Sequence, residues 1–242
     1  FKFIMHLILL AAGQGKRLPK KFRNKPKCMT LVKNKTILEH NKKFIQKFKF
    51  RTIVTGYKSQ KIKEFIKEFK LKQIHSKDYY KTNMVHSLFK VNKIESNFVM
   101  ICYGDIIFDN KIYNDLNKNK FQNFMPIKEN WLDVWKGRMK MRKIYIDAED
   151  IVVKKGFIIS LGGKLKNSLP KYQYMGLLKL KTKDFFKLKI FYKKLNNKKI
   201  DLTSFINLAL LGKVIKIKAL VTKKYWFEID NQKDKIFTES KI

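Results

Sequence analysis

The chain has 242 residues and is 45% apolar, so it can bury a core without disulfide or metal staples, and wholesale disorder is excluded. Two cysteines, Cys28 and Cys102, exclude a disulfide framework, and no apolar run approaches the ~18 residues of a membrane span. The net charge is +37, but five of the 56 basic residues are arginine and the lysines are spread along the whole chain, which fits an AT-rich base composition better than a nucleic-acid-binding face.

The chain opens on an apolar run, Phe1-Lys-Phe-Ile-Met-His-Leu-Ile-Leu-Leu-Ala-Ala. Gly13, Gly15, Lys16 and Arg17 follow it directly, so residues 4–10 read as a buried first strand and not as a signal peptide, and a cytoplasmic protein is expected. Residues 11–27 read as a Gly-, Lys- and Pro-rich loop. Helical spacing covers 36–48, with Thr36 as its cap. A strand is expected at 51–55, a helix at 58–69, a short strand near 72–75 and a helix over about 83–94. Residues 97–102 form another buried strand, ending at Tyr103-Gly104-Asp105.

The second half changes character. Residues 151–161 predict a hairpin around Lys155-Gly156. A strand is expected at 172–180, helices at 182–194 and 201–211, strands at 214–220 and 224–229, and a last helix from 231. The alternation predicts an α/β fold: a Rossmann-like, mixed and mostly parallel sheet flanked by helices, with a small α+β elaboration. It is read as one domain over 1–242, with a nucleotide-binding half over about 1–120 and an acceptor-binding half over about 121–242.

Chemistry is concentrated in the first half. Residues 1–38 hold ten Lys or Arg and no acid; Glu39 is the first carboxylate. This segment contains Leu10-Ala11-Ala12-Gly13-Gln14-Gly15-Lys16-Arg17-Leu18 and then Pro26-Lys27. Small residues at a strand end let the backbone approach a ligand, and consecutive N–H groups there favour a polyanion. A dinucleotide fingerprint needs Gly where Leu18 stands, and a P-loop needs Ser or Thr where Arg17 stands, so both patterns fail.

Asp105 follows one buried strand, and Asp230 ends another in Trp226-Phe227-Glu228-Ile229-Asp230. On neighbouring strand ends the two would make a hard-cation site; Asp230 could equally cap the last helix. Trp131 and Trp135, at i and i+4, read either as core or as an aromatic surface for an ammonium group. Asp133, Asp147 or Glu149 could neutralise such a cation. The four histidines lack metal-ligand spacing.

Leu-Ala-Ala-Gly-x-Gly-x-Arg-Leu, Pro-Lys, Thr36-Ile-Leu-Glu-His, Tyr-Gly-Asp and Glu-Ile-Asp together resemble the nucleoside-diphosphate-sugar pyrophosphorylase superfamily. Thr82-Asn83-Met84-Val85-His86-Ser87-Leu88, Trp-x-x-x-Trp-x-x-Arg, Asp-Ala-Glu and Gln173-Tyr174-Met175-Gly176-Leu177-Leu178 are similar to the bacterial phosphocholine and phosphonate cytidylyltransferases. The stretch Pro19-Lys20-Lys21-Phe22 departs from that pattern. The resemblance implies Mg²⁺-dependent transfer of CMP from CTP to a small phosphate or phosphonate acceptor, phosphocholine or 2-aminoethylphosphonate, with release of pyrophosphate.

By the same resemblance, Arg17 and Lys27 are the catalytic candidates, on the β/γ-phosphates and on the α-phosphate or attacking oxygen. Leu10, Ala11, Ala12, Gly13, Gly15, Lys16, Arg17, Asn83, Ser87 and Gly104 are nucleotide-binding candidates. Trp131, Trp135, Asp147, Glu149 and Tyr174 are acceptor candidates, and Asp105 and Asp230 would hold Mg²⁺. No specific nucleic-acid partner is expected, and a homodimer is left open. A sugar-1-phosphate nucleotidylyltransferase and a basic nucleic-acid-binding protein are the competing readings.

Overall fold

A computed structural model describes residues 4–20, 23–118, 122–163, 165 and 168–242. Phe1–Phe3 of the opening run and Lys21 and Phe22 of the departing stretch lie outside the described residues. In the first half the elements run β1 (Met5–Ala11), β2 (Leu31–Val32), β3 (Lys35–Thr36), α1 (Ile37–His40), α2 (Lys42–Ile45), β4 (Phe50–Thr55), α3 (Lys63–Glu68), β5 (Lys72–His75), α4 (Met84–Leu88), β6 (Phe98–Tyr103), β7 (Ile106–Phe108) and α5 (Ile112–Lys118). The second half supplies β8 (Phe124–Lys128), α6 (Trp131–Lys136), α7 (Met141–Asp147), β9 (Ile151–Lys154), β10 (Phe157–Leu161), β11 (Gln173–Tyr174), β12 (Leu177–Lys181), α8 (Thr182–Lys194), α9 (Leu202–Leu211), β13 (Lys218–Thr222), β14 (Trp226–Glu228) and α10 (Gln232–Glu239).

The main sheet runs β5-β4-β1-β6-β12-β8-β13-β10-β9, with β11 paired to β8. β4, β1, β6 and β5 are mutually parallel; β12 lies antiparallel between β6 and β8, and β13 is parallel to β8. The fold is the mixed, mostly parallel α/β architecture that the sequence predicts. One sheet takes strands from both halves of the chain.

The continuous apolar run of β1 is explained by burial on both faces. Leu7, Leu9 and Ala11 pack into one core layer with Ile53, Met100 and Cys102, while Ile8 and Leu10 pack into the other with Val54, Val99 and Ile101. The two-residue period of a strand assigns alternate side chains to opposite layers. His6 is fully buried at the start of this strand, its Nε2 2.8 Å from Thr52 Oγ1 and its Nδ1 accepting from the Glu95 N–H.

Several expected elements differ in detail. The 36–48 helix is two short helices broken at Asn41 (φ −93°, ψ 10°), whose side chain donates to the Ile106 carbonyl. Thr36 is a cap as expected, in a reciprocal box with Glu39. The 83–94 helix ends at Leu88. The 172–180 strand is split by Gly176 at φ +74°, where a Cβ would lie 2.9 Å from the Tyr103 ring.

The Lys155-Gly156 hairpin forms as read, with both residues at positive φ. β8 is a strand that the sequence hides, because Pro126 argues against one. Phe124 pairs with Lys179 and Ile127 with Tyr174, so Pro126 faces the interval where that ladder is interrupted.

Candidate active site

The two acidic strand ends meet through a small separate sheet. β14 pairs antiparallel with β7, matching Glu228 to Ile106, and the Ile229 N–H donates to the Asp105 carbonyl. This pairing sets Asp105 and Asp230 side by side at the end of β6. Asp105, Glu228 and Asp230 each place a carboxylate oxygen within 4.8 Å of the others. Glu228 was quoted in the sequence but not singled out; its alternation with Asp230 along one strand end is the signal that could have found it.

Lys27 follows Pro26 in a short 3₁₀ turn (Lys27–Met29). Its ammonium bonds Asp105 Oδ2 at 2.6 Å and also bonds Asp230 Oδ1, and it is mostly buried between them. Arg17 Nη2 reaches the same Asp230 oxygen at 2.6 Å from a mostly exposed position. Burial opposes the charge on Lys27, but Asp105, Asp230 and Glu228 outweigh it and raise its pKa. Burial likewise opposes the Asp230 carboxylate, and Lys27 and Arg17 overcome it, holding that group below its usual value. Glu228 has no such dedicated partner; burial, then Asp230 and Asp105, push it well up. Asp105 Oδ1 is buried without a hydrogen-bond partner among the described residues.

The glycine loop lies directly behind this cluster. Gly15 adopts φ +62°, and a Cβ there would crowd Lys27 Cβ at 3.2 Å. The Gly104 N–H donates to the Leu10 carbonyl, and a Cβ on Gly104 would come within 2.7 Å of that oxygen. Both glycines are therefore demanded by close approach. Gly13 and Lys16 are exposed, while Ala11 ends β1 and Ala12 accepts from the Tyr57 N–H.

Asp230 does not cap the last helix. Asn231 does, in a capping box with Asp234. Asp234 also accepts from the Asp230 N–H and pairs with buried Arg138 at 3.1 Å, and Arg138 donates to the Glu228 carbonyl. Arg138 thus ties the strand end that carries Glu228 and Asp230 to the last helix.

A cleft of about 970 Å³ opens from the Asp105–Asp230 pair. Its walls include Arg17, Asn83, Tyr103, Trp135, Asp147, Glu149, Tyr174 and Thr203. Asn83 is the cap of α4, its oxygen held by the Met84 N–H. Two candidates need correction. Ser87 is buried against Ser76 Oγ at 3.0 Å and is not on the cleft wall. Trp131 is core, with its indole N–H donated to the Pro170 carbonyl.

Trp135 does reach the cleft, but Arg138 sits 4.7 Å from its ring centroid and Trp131 meets it edge-on. The shared face of the i, i+4 pair is therefore turned mainly inward. Asp147 is exposed at the rim. Glu149 is positioned deeper, with its backbone clamped by the buried Gln173 side chain. Tyr174 is buried against Tyr103, the ring centroids 5.7 Å apart and nearly perpendicular, and burial pushes its phenol well up. Sequence reasoning quoted Gln173 without assigning it a role and missed Asp201 and Thr203, which carry no local motif.

A basic, glycine-shaped strand end facing a carboxylate pair on a mixed α/β sheet defines a nucleotidyltransferase. The comparisons refine this. No protein-family profile matches the chain. It is 30% identical to the CTP:phosphoglutamine cytidylyltransferase of Campylobacter jejuni, over 95% of this chain and 97% of that one. It is 25% identical to the choline-phosphate cytidylyltransferase of Streptococcus pneumoniae over 60% of this chain and 65% of that one.

Among solved structures, it is similar to the inositol-1-phosphate CTP transferase of T. maritima (TM-score 0.78, 16% identity, 99% of this chain and 96% of that one). It is also similar to the CTP:phosphocholine cytidylyltransferase of Streptococcus pneumoniae (TM-score 0.74, 17% identity, 98% of both chains). At such identities the solved structures speak for the fold alone. The chain belongs to the cytidylyltransferase family of nucleotidyltransferases, enzymes that use CTP and a phosphorylated acceptor. Among the described residues no helix is long and apolar enough to cross a membrane.

Proposed function

We propose that the protein is a Mg²⁺-dependent enzyme that transfers CMP from CTP to a small phosphate or phosphonate whose far end carries a positively charged nitrogen. The observation that carries this reading is the Lys27 ammonium held between Asp105 and Asp230, with Arg17 on the same aspartate, at the mouth of the cleft. Oxygen-only donors and the unpartnered Asp105 Oδ1 suit a hard divalent cation. Asp105 and Asp230 would hold Mg²⁺, with Glu228 beside them; bound there, the ion would neutralise charge on the triphosphate.

The protein's own part is positioning and charge. The 11–17 loop cradles the triphosphate at the end of β1. Arg17, mostly exposed, turns to the β- and γ-phosphates and stabilises the departing pyrophosphate. Lys27, released from the aspartates, neutralises the α-phosphate as an acceptor oxygen attacks phosphorus in line. The bond to the β-phosphate oxygen breaks as the new P–O bond forms, so no enzyme nucleophile is needed. Glu149 and Asp147, further along the cleft, complement a cationic acceptor. Nitrogen-bearing acceptors also stand in the names of both sequence relatives.

The test is pyrophosphate release with Mg²⁺, crossing the common nucleoside triphosphates with phosphocholine, 2-aminoethylphosphonate, phosphoglutamine and several sugar 1-phosphates. Release with CTP and a nitrogen-bearing acceptor is expected. Release with sugar 1-phosphates alone would overturn the acceptor assignment, and release only with another triphosphate would overturn the base.

A further inference from the structure

Asp230 lies beyond the strand that delivers it. The ladder between β14 and β7 ends at Glu228, two residues earlier. Yet a single oxygen of Asp230, Oδ1, receives both Lys27 and Arg17. A misplacement of about 1 Å in such a group can cost about a hundredfold in rate. The residue therefore needs a hold from outside the strand.

Asp234 supplies it. Its Oδ2 accepts from the Asp230 N–H at 2.9 Å and from the Asn231 N–H at 3.0 Å. A capping box requires only the second of these bonds, the one to the capping residue Asn231. The bond to Asp230 is in excess of what α10 needs.

Asp234 is itself held. It is 1% exposed and pairs at 3.1 Å with Arg138, which is 8% exposed and comes from the loop after α6. The same guanidinium donates to the Glu228 carbonyl at 3.2 Å, and the Ile229 N–H donates to the Asp105 carbonyl at 3.0 Å. Backbone groups of residues 228, 229 and 230 are thus tied down one after another. Stability alone does not call for this arrangement, because apolar residues of similar volume often replace a buried ion pair without loss. Apolar residues could not accept the two N–H groups.

We infer that Asp234 is a positioning residue for the reaction: through the Asp230 peptide it fixes the direction of the Asp230 carboxylate, and so sets the enzyme's grip on the cation that accompanies the triphosphate. Arg138 keeps Asp234 in place, and neither residue needs to touch the reacting atoms. The inference rests on the Mg²⁺-dependent transferase reading above. Groups that orient a metal ligand typically govern affinity for the ion by about tenfold to a hundredfold.

The experiment is calorimetric titration of the whole chain with CTP, with and without Mg²⁺ and without acceptor, so no turnover is involved. The readout is the gain in CTP affinity that Mg²⁺ confers. Replacing Asp234 by an apolar residue alone would strand the buried Arg138 charge, so two double variants are compared. Arg138→Leu with Asp234→Asn removes both charges and keeps an oxygen for the two N–H groups. Arg138→Leu with Asp234→Leu removes the oxygen as well. The first is expected to keep the wild-type gain and the second to lose about tenfold or more of it, with equal CTP affinity in the absence of Mg²⁺. Asp234→Glu in the otherwise unaltered chain keeps the charge and suits the capping box, but it carries the oxygen one methylene further. It is expected to stay folded and to lose part of the gain.

The wild-type gain in both double variants, or in Asp234→Glu, would overturn the inference and leave Asp234 a helix cap, a role that a lowered unfolding midpoint alone reports. Equal loss in both double variants would overturn it too, because the charge pair and not the N–H acceptor would then be at work. A wild-type chain that binds CTP with no response to Mg²⁺ would instead sink the metal-dependent reading, and the inference with it.

Discussion

The two ends of the cleft hold their buried charge in opposite ways. At the nucleotide end, Lys27 and Arg17 answer Asp105 and Asp230, so four charged groups close on one another without a ligand. At the acceptor end, Glu149 and Asp201 share one hydroxyl, and no basic side chain pairs with either among the described residues. The first end is neutralised by internal ion pairs; at the second, burial and the nearby Asp201 push Glu149 up toward its protonated form. The contrast separates chemistry from recognition. Internal ion pairs hold Lys27, Asp105 and Asp230 in register, while the carboxylates at the other end have no internal cation among the described residues.

The strongest way to break the comparison is to remove a member of the closed set. Asp105→Asn and Lys27→Met are each expected to lower turnover by about a thousandfold or more, measured as pyrophosphate release, while circular dichroism stays native. Normal turnover in either would dissolve the distinction between the two ends. Trp131→Ala should do the reverse. It removes a core side chain and costs about 3–5 kcal/mol in denaturant unfolding, yet should leave the acceptor KM of the folded fraction unchanged; a large KM effect would restore Trp131 to the cleft wall.

Arg17→Ala should lower turnover by about a hundredfold with little change in unfolding midpoint, since its side chain is mostly exposed. The smallest effect concerns His6, far from both ends. Burial lowers its pKa below the ordinary 6.5, and its Nδ1 accepts a backbone N–H, which requires the neutral ring. The unfolded chain therefore takes up this proton first as pH falls. Stability present above about pH 6.5 should fall with pH below it, by at most about 1.4 kcal/mol per pH unit. Comparing urea midpoints at pH 7.5 and 5.5, His6→Gln should flatten that slope; an unchanged slope would mean that the folded protein accepts the proton freely.

Legibility in the sequence follows the same divide. The nucleotide end is written locally: an apolar run, a glycine turn and an acid just past a strand are contiguous signals, and Arg17, Lys27, Asp105 and Asp230 do converge. Glu228 escaped because an acidic residue in an apolar strand reads as its solvent face until β7 and β14 pair. The acceptor end is only partly legible: Glu149 and Tyr174 stand in short family-like motifs, while Asp201 and Thr203 carry none. Glu149, Tyr174 and Thr203 come from different elements and become neighbours only through the order of strands in the sheet. Trp131 and Trp135 show the converse: helical spacing correctly put them on one face and could not say which way that face turned. β8 was not read at all, and Pro126 is tolerated in it because the ladder is interrupted there.

The pairing of β7 with β14 has a consequence for how the enzyme is made. Lys27 and Asp230 lie 203 positions apart, so a ribosome releases the lysine, the glycine loop and most of the large sheet long before the second aspartate exists. A nascent chain can assemble its parallel strands early, but it has only half of the carboxylate pair until β14 and Asp230 have been made. The acidic cluster is completed only once residues 226–230 have been made, and a chain stopped short of Trp226 would lack both Glu228 and Asp230.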